Sequence, residues 1–359
     1  MQLSGEGELK ERRGVMEAVL VSLIIFGLLI FVHETGHFLA AKRAGIEVHE
    51  FAIGFGPKLF SFTRNETVYR IRIIPLGGFV RMAGTEPDDV ENENGFANKS
   101  VGTRMMVIAA GAFMNFLLAM VLFALLIGMI GIPTGEFSEK PHIGEVVIGE
   151  PAERAGLLPG DKVMEVEGEK METWNDLVNI VSANAGEELE FTILRGDEEL
   201  TISVTPQYRE EEERGMIGIM PDYHVRPAGL LESIAFGVQQ TIFITGAIIQ
   251  ALFQMVTGQA PADVSGPIGI TQVVGRAARL GIPTLMNLAA IININIGLFN
   301  LIPIPALDGS RLLFLAIEGV RGKPVDQEKE NFIHVVGFAL LIMLAIFVAY
   351  RDILRIGEF

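Results

Sequence analysis

The 359-residue chain contains no cysteine, a single tryptophan and few charges, since Asp, Glu, Lys and Arg make up only 20% of it. Without cysteine there is neither a disulfide framework nor a thiolate metal site, so any metal must be held by His, Asp or Glu. Bases are scarcer than acids: 28 Lys+Arg stand against 44 Asp+Glu, a net charge of −16. That balance argues against a nucleic-acid partner and by itself describes an acidic soluble protein. The mean hydropathy of +0.41 contradicts that picture. The two properties separate along the chain. Residues 133–229 hold 22 acids and 8 bases, a net of −14, and the remainder is close to neutral at −2.

The apolar part carries four long uncharged runs. Residues 18–32 continue as a helical pattern to residue 41, and residues 105–133, 280–307 and 331–350 follow. A bilayer core about 30 Å thick needs about 20 helical residues, so these are expected to be four transmembrane helices. Polar HETGH directly after the first run, with no small-residue cleavage pattern, argues against a cleaved signal peptide. Residues 233–262 are also uncharged, but Gln239, Gln240, Gln250 and Gln254 interrupt them. Nine Lys and Arg between residues 42 and 104 place that loop on the cytoplasmic side, and hence the acidic module outside. Within the loop, residues 66–82 alternate, break at Pro75 and turn at Gly77-Gly78, which predicts two short strands and a turn dipping toward the membrane.

The acidic module reads as α+β. Thr173 and Asp176 form an approximate capping box before a helix over residues 177–185, stopped by Gly186. FTILRGDEELTISVTP is expected to close the module as a hairpin, and Glu210–Glu213 to be a solvated linker. The stretch AERAGLLPGDKVMEVEG resembles the signature of a PDZ domain, a module that binds peptides by strand addition.

The chemistry concentrates in His33-Glu34-Thr35-Gly36-His37, an HExxH motif. At i and i+4 both imidazoles lie on one helical face and can share a Zn²⁺ ion, with Glu34 beside them to take a proton from water. The extended motif HExxHxxGxxH is absent, because position 40 is Ala and position 43 is Arg. A third ligand must come from elsewhere. Asp308 ends an uncharged run in NLIPIPALDG, where Pro303 and Pro305 break the helix and free backbone carbonyls. A broken helix at membrane depth is tolerated where it lines a site. The alternative for Asp308 is a plain helix N-cap. Histidines 49, 142, 224 and 334 lack metal spacing and read as structural.

FVHETGHFLAAKRAG, GFGPKLF, IIPLGGFVRMAG, the PDZ-like stretch, SGPIGI at 265–270 and NLIPIPALDG together resemble the site-2 protease family of intramembrane zinc metalloproteases, in a bacterial RseP-type form with a single PDZ domain. The resemblance covers nearly the whole chain after Val19. It implies a polytopic α-helical membrane protein with four core transmembrane helices, a membrane re-entrant β-hairpin and an inserted α+β PDZ domain. It implies zinc on His33, His37 and Asp308, with Glu34 as general base. Asn295, Asn300, Gly77, Gly78, Pro303 and Pro305 would contact substrate. The expected parts are residues 1–132, with HExxH and the hairpin; 133–229, the PDZ domain and linker; 230–279, interfacial helices; and 280–359, with the LDG motif. For Asp308 to meet HETGH, the helix before it must run inward from outside, so residues 233–262 should cross the membrane twice or not at all. The implied activity is cleavage of transmembrane segments of single-pass proteins, such as anti-sigma factors or signal-peptide remnants, in the bacterial inner membrane. The active site would face the cytoplasm, and peptide ends would bind the extracytoplasmic PDZ domain. A non-proteolytic PDZ scaffold and a metal transporter are the rivals; both need the histidines and Asp308, and neither needs Glu34.

Overall fold

The computed structural model describes residues 3–85, 93–260 and 266–356, so Ser265 of the SGPIGI motif lies outside it. In chain order the elements are α1 (Leu3–Arg43), β1 (Val48–Arg64), β2 (Thr67–Met82), α2 (Val101–Ile130), β3 (Ile132–Phe137), β4 (Ile143–Val146), α3 (Pro151–Ala155), β5 (Lys162–Val166), β6 (Glu169–Lys170), α4 (Trp174–Ala183), β7 (Leu189–Arg195), β8 (Glu198–Val204), β9 (Gln207–Arg209), β10 (Arg214–Met216), β11 (Ile219–Pro221), β12 (Tyr223–Arg226), α5 (Leu230–Val256), α6 (Pro267–Arg279), α7 (Ile282–Leu301), α8 (Asp308–Arg321) and α9 (Gln327–Ile356). They form two units. A helical unit comprises Met1–Leu125, Leu231–Gly275 and Met286–Phe359; an α+β unit comprises Leu126–Leu230 and Arg276–Leu285.

In the helical unit, α1 and α2 are antiparallel. His37 meets Val107 and Gly111, whereas His33 meets Gly111 and Asn115. Gly36 permits the contact, because a Cβ there would run into the Ala110 carbonyl and the Met114 side chain. Among the described residues five helices are long and apolar enough to cross a membrane by length and composition: Gly14–Arg43, Val101–Ile130, Leu230–Val256, Ile282–Leu301 and Glu328–Leu354. Four coincide with the four uncharged runs. The fifth, α5, falls in the stretch expected to hold interfacial helices and is one unbroken helix, about 40 Å long at 1.5 Å per residue. Its buried stripe is Ser233, Gly237 and Thr241, spaced four apart. These small side chains let its backbone approach Met120 and Ala124 of α2. Further on, Gly275 of α6 packs against Ala18 of α1. On the antiparallel register, Ala18 and Met120–Ala124 lie toward the same end of the α1–α2 pair. The chain from Gly237 to Gly275 therefore begins and ends at one end of that pair. There Asp352 of α9 accepts the N–H groups of Gly266 (3.1 Å) and Gly269 (2.8 Å), capping α6.

The hairpin differs from its sequence reading. Its turn is Asn65-Glu66, both at positive φ, as a two-residue turn between antiparallel strands requires. Gly77-Gly78 instead lies inside β2, which is continuous. Gly77, at φ 94°, bends the strand so that it crosses to the other side of β1. β1 also bends, at Gly54 and Gly56, both at positive φ, so that residues 50–53 are paired twice: Phe51, for example, stands between Val80 and Tyr69. Residues 78–82 become an outer edge.

In the α+β unit the antiparallel order β6-β5-β7-β8 covers α4. Val163, Val166, Leu177, Phe191 and Ile193 build the core, with Leu280 from the segment before α7. Thr173 caps α4 in a full capping box: Asp176 N–H donates to Thr173 Oγ1 (3.2 Å) and Thr173 N–H to the Asp176 carboxylate (2.8 Å). The helix stops at Ala183, before Gly186, because Asn184 turns its amide back onto the Ile180 carbonyl. β7 and β8 form the expected hairpin. In the Leu-Pro-Gly-Asp turn, buried Asp161 accepts the Leu158 N–H and two bonds from Arg195 (2.8 and 2.7 Å). Asp161→Ala removes three acceptor contacts at once and is expected to destabilise the unit by about 3 kcal/mol. The lone tryptophan, Trp174, packs on this core, so its fluorescence during chemical denaturation of the full chain measures the loss.

Candidate metal centre

Positions 33 and 37 are one turn apart on α1, so both imidazoles project from one face. Asp308 arrives from the far end of the chain. Helix α7 stops at Leu301, and the Pro303-Ile304-Pro305 stretch cannot continue its hydrogen-bond ladder. The loop is tightly shaped. Ala306 sits at φ 73°, in the left-handed region, and its N–H donates to His334 Nδ1 of α9 at 3.1 Å. Gly309 passes so close to Ile302 that a Cβ would strike its carbonyl. Asp308 is the first residue of α8, and the cap position belongs to Leu307, so the helix-cap alternative does not describe it.

The Asp308 carboxylate instead turns to the histidines. Its Oδ2 lies 3.1 Å from His33 Nε2 and 3.1 Å from His37 Nε2, and the two Nε2 atoms are 3.1 Å apart. These three are a group of side chains able to hold a metal. Four-coordinate zinc with bonds of about 2.0–2.1 Å sets its ligand atoms about 3.3 Å apart, close to the observed triangle, and a three-ligand set leaves a fourth position for the reaction. The second-layer contacts also suit a metal. The His37 Nδ1–H donates to the Val107 carbonyl at 2.9 Å, which leaves the Nε2 lone pair free.

Glu34 and these three residues line one cavity of about 660 Å³. Gly77 and Gly78 form part of its wall, and Gly78 lies so near that a Cβ would come within 2.9 Å of Glu34 Cγ. Asn300 lines it as well. Asn295 does not: it bonds the Ile291 carbonyl of its own helix at 3.0 Å. Pro303 and Pro305 stand away from the wall, and Pro305 packs on Gly337 of α9. Sequence reasoning passed over Asn115, which faces His33, and Arg311, which lines the cavity, and it read His334, also on the cavity wall, as structural. The spacing of four between Val107, Gly111 and Asn115 was the available signal, visible only once α2 is known to face α1.

The chain resembles known proteins over nearly its full length. The family described as "Peptidase family M50" matches residues 21–344. The zinc metalloprotease RasP of Geobacillus kaustophilus is 40% identical, across 94% of this chain and 98% of that protein. The regulator of sigma-W protease RasP of Bacillus subtilis is 37% identical, across 95% and 99%. Among solved structures, the PDZ domain of an SdrC-like protein from Listeria innocua is 19% identical, covering 25% of this chain and 99% of its own, with a TM-score of 0.22. The family match includes both HETGH and NLIPIPALDG, so the chain belongs to peptidase family M50, the site-2 proteases, and is a multi-pass membrane zinc metalloprotease.

Proposed function

We propose that the protein hydrolyses a peptide bond within the transmembrane segment of single-pass membrane proteins, with His33, His37 and Asp308 as zinc ligands and Glu34 as general base. One observation carries this reading. Glu34, which metal binding alone does not need, shares a cavity with the three ligand atoms, and the outer edge of β2 walls that cavity. Bound zinc supplies Lewis acidity to the scissile carbonyl and lowers the pKa of the attacking water. Glu34 takes a proton from that water and passes it to the departing amide nitrogen, so that one fragment ends in a carboxylate and the other in an amine. Asn300, on the cavity wall, holds the substrate backbone.

A transmembrane helix satisfies its own backbone groups, and each one opened in an apolar setting costs several kcal/mol. Pairing with the edge at residues 78–82 offsets that cost by giving the unwound segment a strand partner. The name of the Bacillus relative points to anti-sigma factors as one substrate class; signal-peptide remnants are the same kind of segment. The PDZ-like unit within residues 133–229 would receive peptide ends. We place HETGH and Asp308 toward the cytoplasm of a bacterial cell membrane and the acidic unit outside. The nine bases of the 42–104 loop support this. The chain from Gly237 to Gly275, which starts and finishes at one end of the α1–α2 pair, supports an even number of crossings there.

Glu34→Gln is expected to lower cleavage of a model transmembrane substrate by about 10²–10⁴-fold while zinc content stays unchanged; equal cleavage by the variant rules out the general-base role. Metal analysis of purified Asp308→Ala should show loss of bound zinc, and full retention removes Asp308 from the ligand set. For orientation, a cysteine placed at Glu211 in this cysteine-free chain should react with an impermeant maleimide from outside the cell. Labelling from the cytoplasmic side alone reverses the topology.

A further inference from the structure

The wall of the metal centre formed by α2 has no part in the function proposed above. Three of its residues, spaced four apart, face the histidine pair. Val107 accepts the His37 Nδ1–H. Gly111 makes room, since a Cβ there would fall on both imidazoles. Asn115, fully buried, sets its carboxamide beside His33, with Nδ2 at 3.2 Å from Nδ1, and its Oδ1 has no hydrogen-bond partner.

A histidine that ligates metal through Nε2 keeps its hydrogen on Nδ1 and needs an acceptor there. The two ends of a carboxamide are nearly the same size and differ in which one accepts. Turned half a rotation about its last bond, Asn115 brings Oδ1 to the 3.2 Å position, where it receives the His33 Nδ1–H and is no longer unpaired. We propose that Asn115 is the positioning residue of His33: its carboxamide oxygen accepts the Nδ1–H and so selects the tautomer whose Nε2 lone pair faces zinc. The inference rests on His33 being a zinc ligand. Helix α7 holds Asn115 in place. Asn293, also fully buried, donates from Nδ2 to the Asn115 backbone oxygen at 2.6 Å. Gly297 lies where an added Cβ would stand 3.2 Å from Asn115 Cβ. The helix that leads to Asp308 thus also braces the partner of His33.

The test is the zinc dissociation constant of the full chain in detergent, measured by chelator competition for wild type, Asn115→Leu, Asn115→Asp and His33→Ala. Leucine has the same branched four-atom skeleton as asparagine, with bulkier methyl groups and no acceptor, whereas aspartate accepts more strongly. Asn115→Leu should bind zinc about 10–100-fold more weakly, and Asn115→Asp at least as tightly as wild type. Unchanged affinity in Asn115→Leu overturns the proposal. So does an equal loss in both variants, which marks packing as the contribution of Asn115. Should the leucine variant fail to fold, the aspartate variant decides alone, and weaker binding than wild type overturns the proposal. His33→Ala separates this inference from the reading beneath it: zinc retained there overturns the ligand set itself.

Discussion

Two imidazoles one helical turn apart, buried in an apolar bundle, can act together as ligands only when each keeps its inner nitrogen bare and ties its outer nitrogen to an acceptor. Water is not at hand to supply that acceptor, and an unpaired buried polar group is costly. The acceptor must come from a neighbouring helix at close range. That requirement explains the glycines. Gly36, inside the HETGH motif, brings α1 against the α2 backbone, and Gly111 clears space for both rings. The Val107 carbonyl then reaches His37, and the Asn115 side chain reaches His33.

The third side chain of the metal-capable group is governed by a different constraint. Asp308 must come within 3.1 Å of both histidines, from a helix that ends several residues earlier. The Pro303-Ile304-Pro305 break, the left-handed Ala306 and the close turn at Gly309 deliver it. His334 secures the loop by accepting the Ala306 N–H. Arg104 of α2 pairs with Glu318 of α8, so the helix that orients the histidines is also tied to the helix that begins with the aspartate.

The strand edge at residues 78–82 follows from bends in both strands, at Gly77 in β2 and at Gly54 and Gly56 in β1. Gly77 bends β2 so that its last stretch pairs on the opposite side of β1 from its first, and that stretch then lines the same cavity as Glu34. A straight β2 would leave Gly78 and Val80 beyond the reach of residues 50–53. Glu50 helps to hold this arrangement from beneath, accepting hydrogen bonds from Arg70 and Arg72.

Local features were legible from residue order because their physics is local. A run without charge must find an apolar environment, HExxH puts two rings on one helix face, and Thr173 with Asp176 caps a helix within one turn. Asp308 stood out as a lone acid after a proline-broken apolar run, but a plain helix N-cap suited that position too, and it was the HExxH motif and the resemblance of NLIPIPALDG to the family that pointed to the metal. Contacts between helices were not legible. Asn295 and Asn300 look equivalent in sequence, yet only Asn300 reaches the cavity, since a five-residue separation turns them to different faces of α7. The hairpin turn was misplaced because glycine signals conformational freedom without saying whether it closes a turn or bends a strand; Asn65-Glu66 closes it. Residue order alone specified the apolar segments, the donor types available to zinc and the acidic character of one unit, because each depends on composition or on spacing within a turn. The fold was needed to show that α2 faces the histidine pair, that Gly78 stands over Glu34 and that α5 is a single long helix, because each depends on which faces meet across the chain.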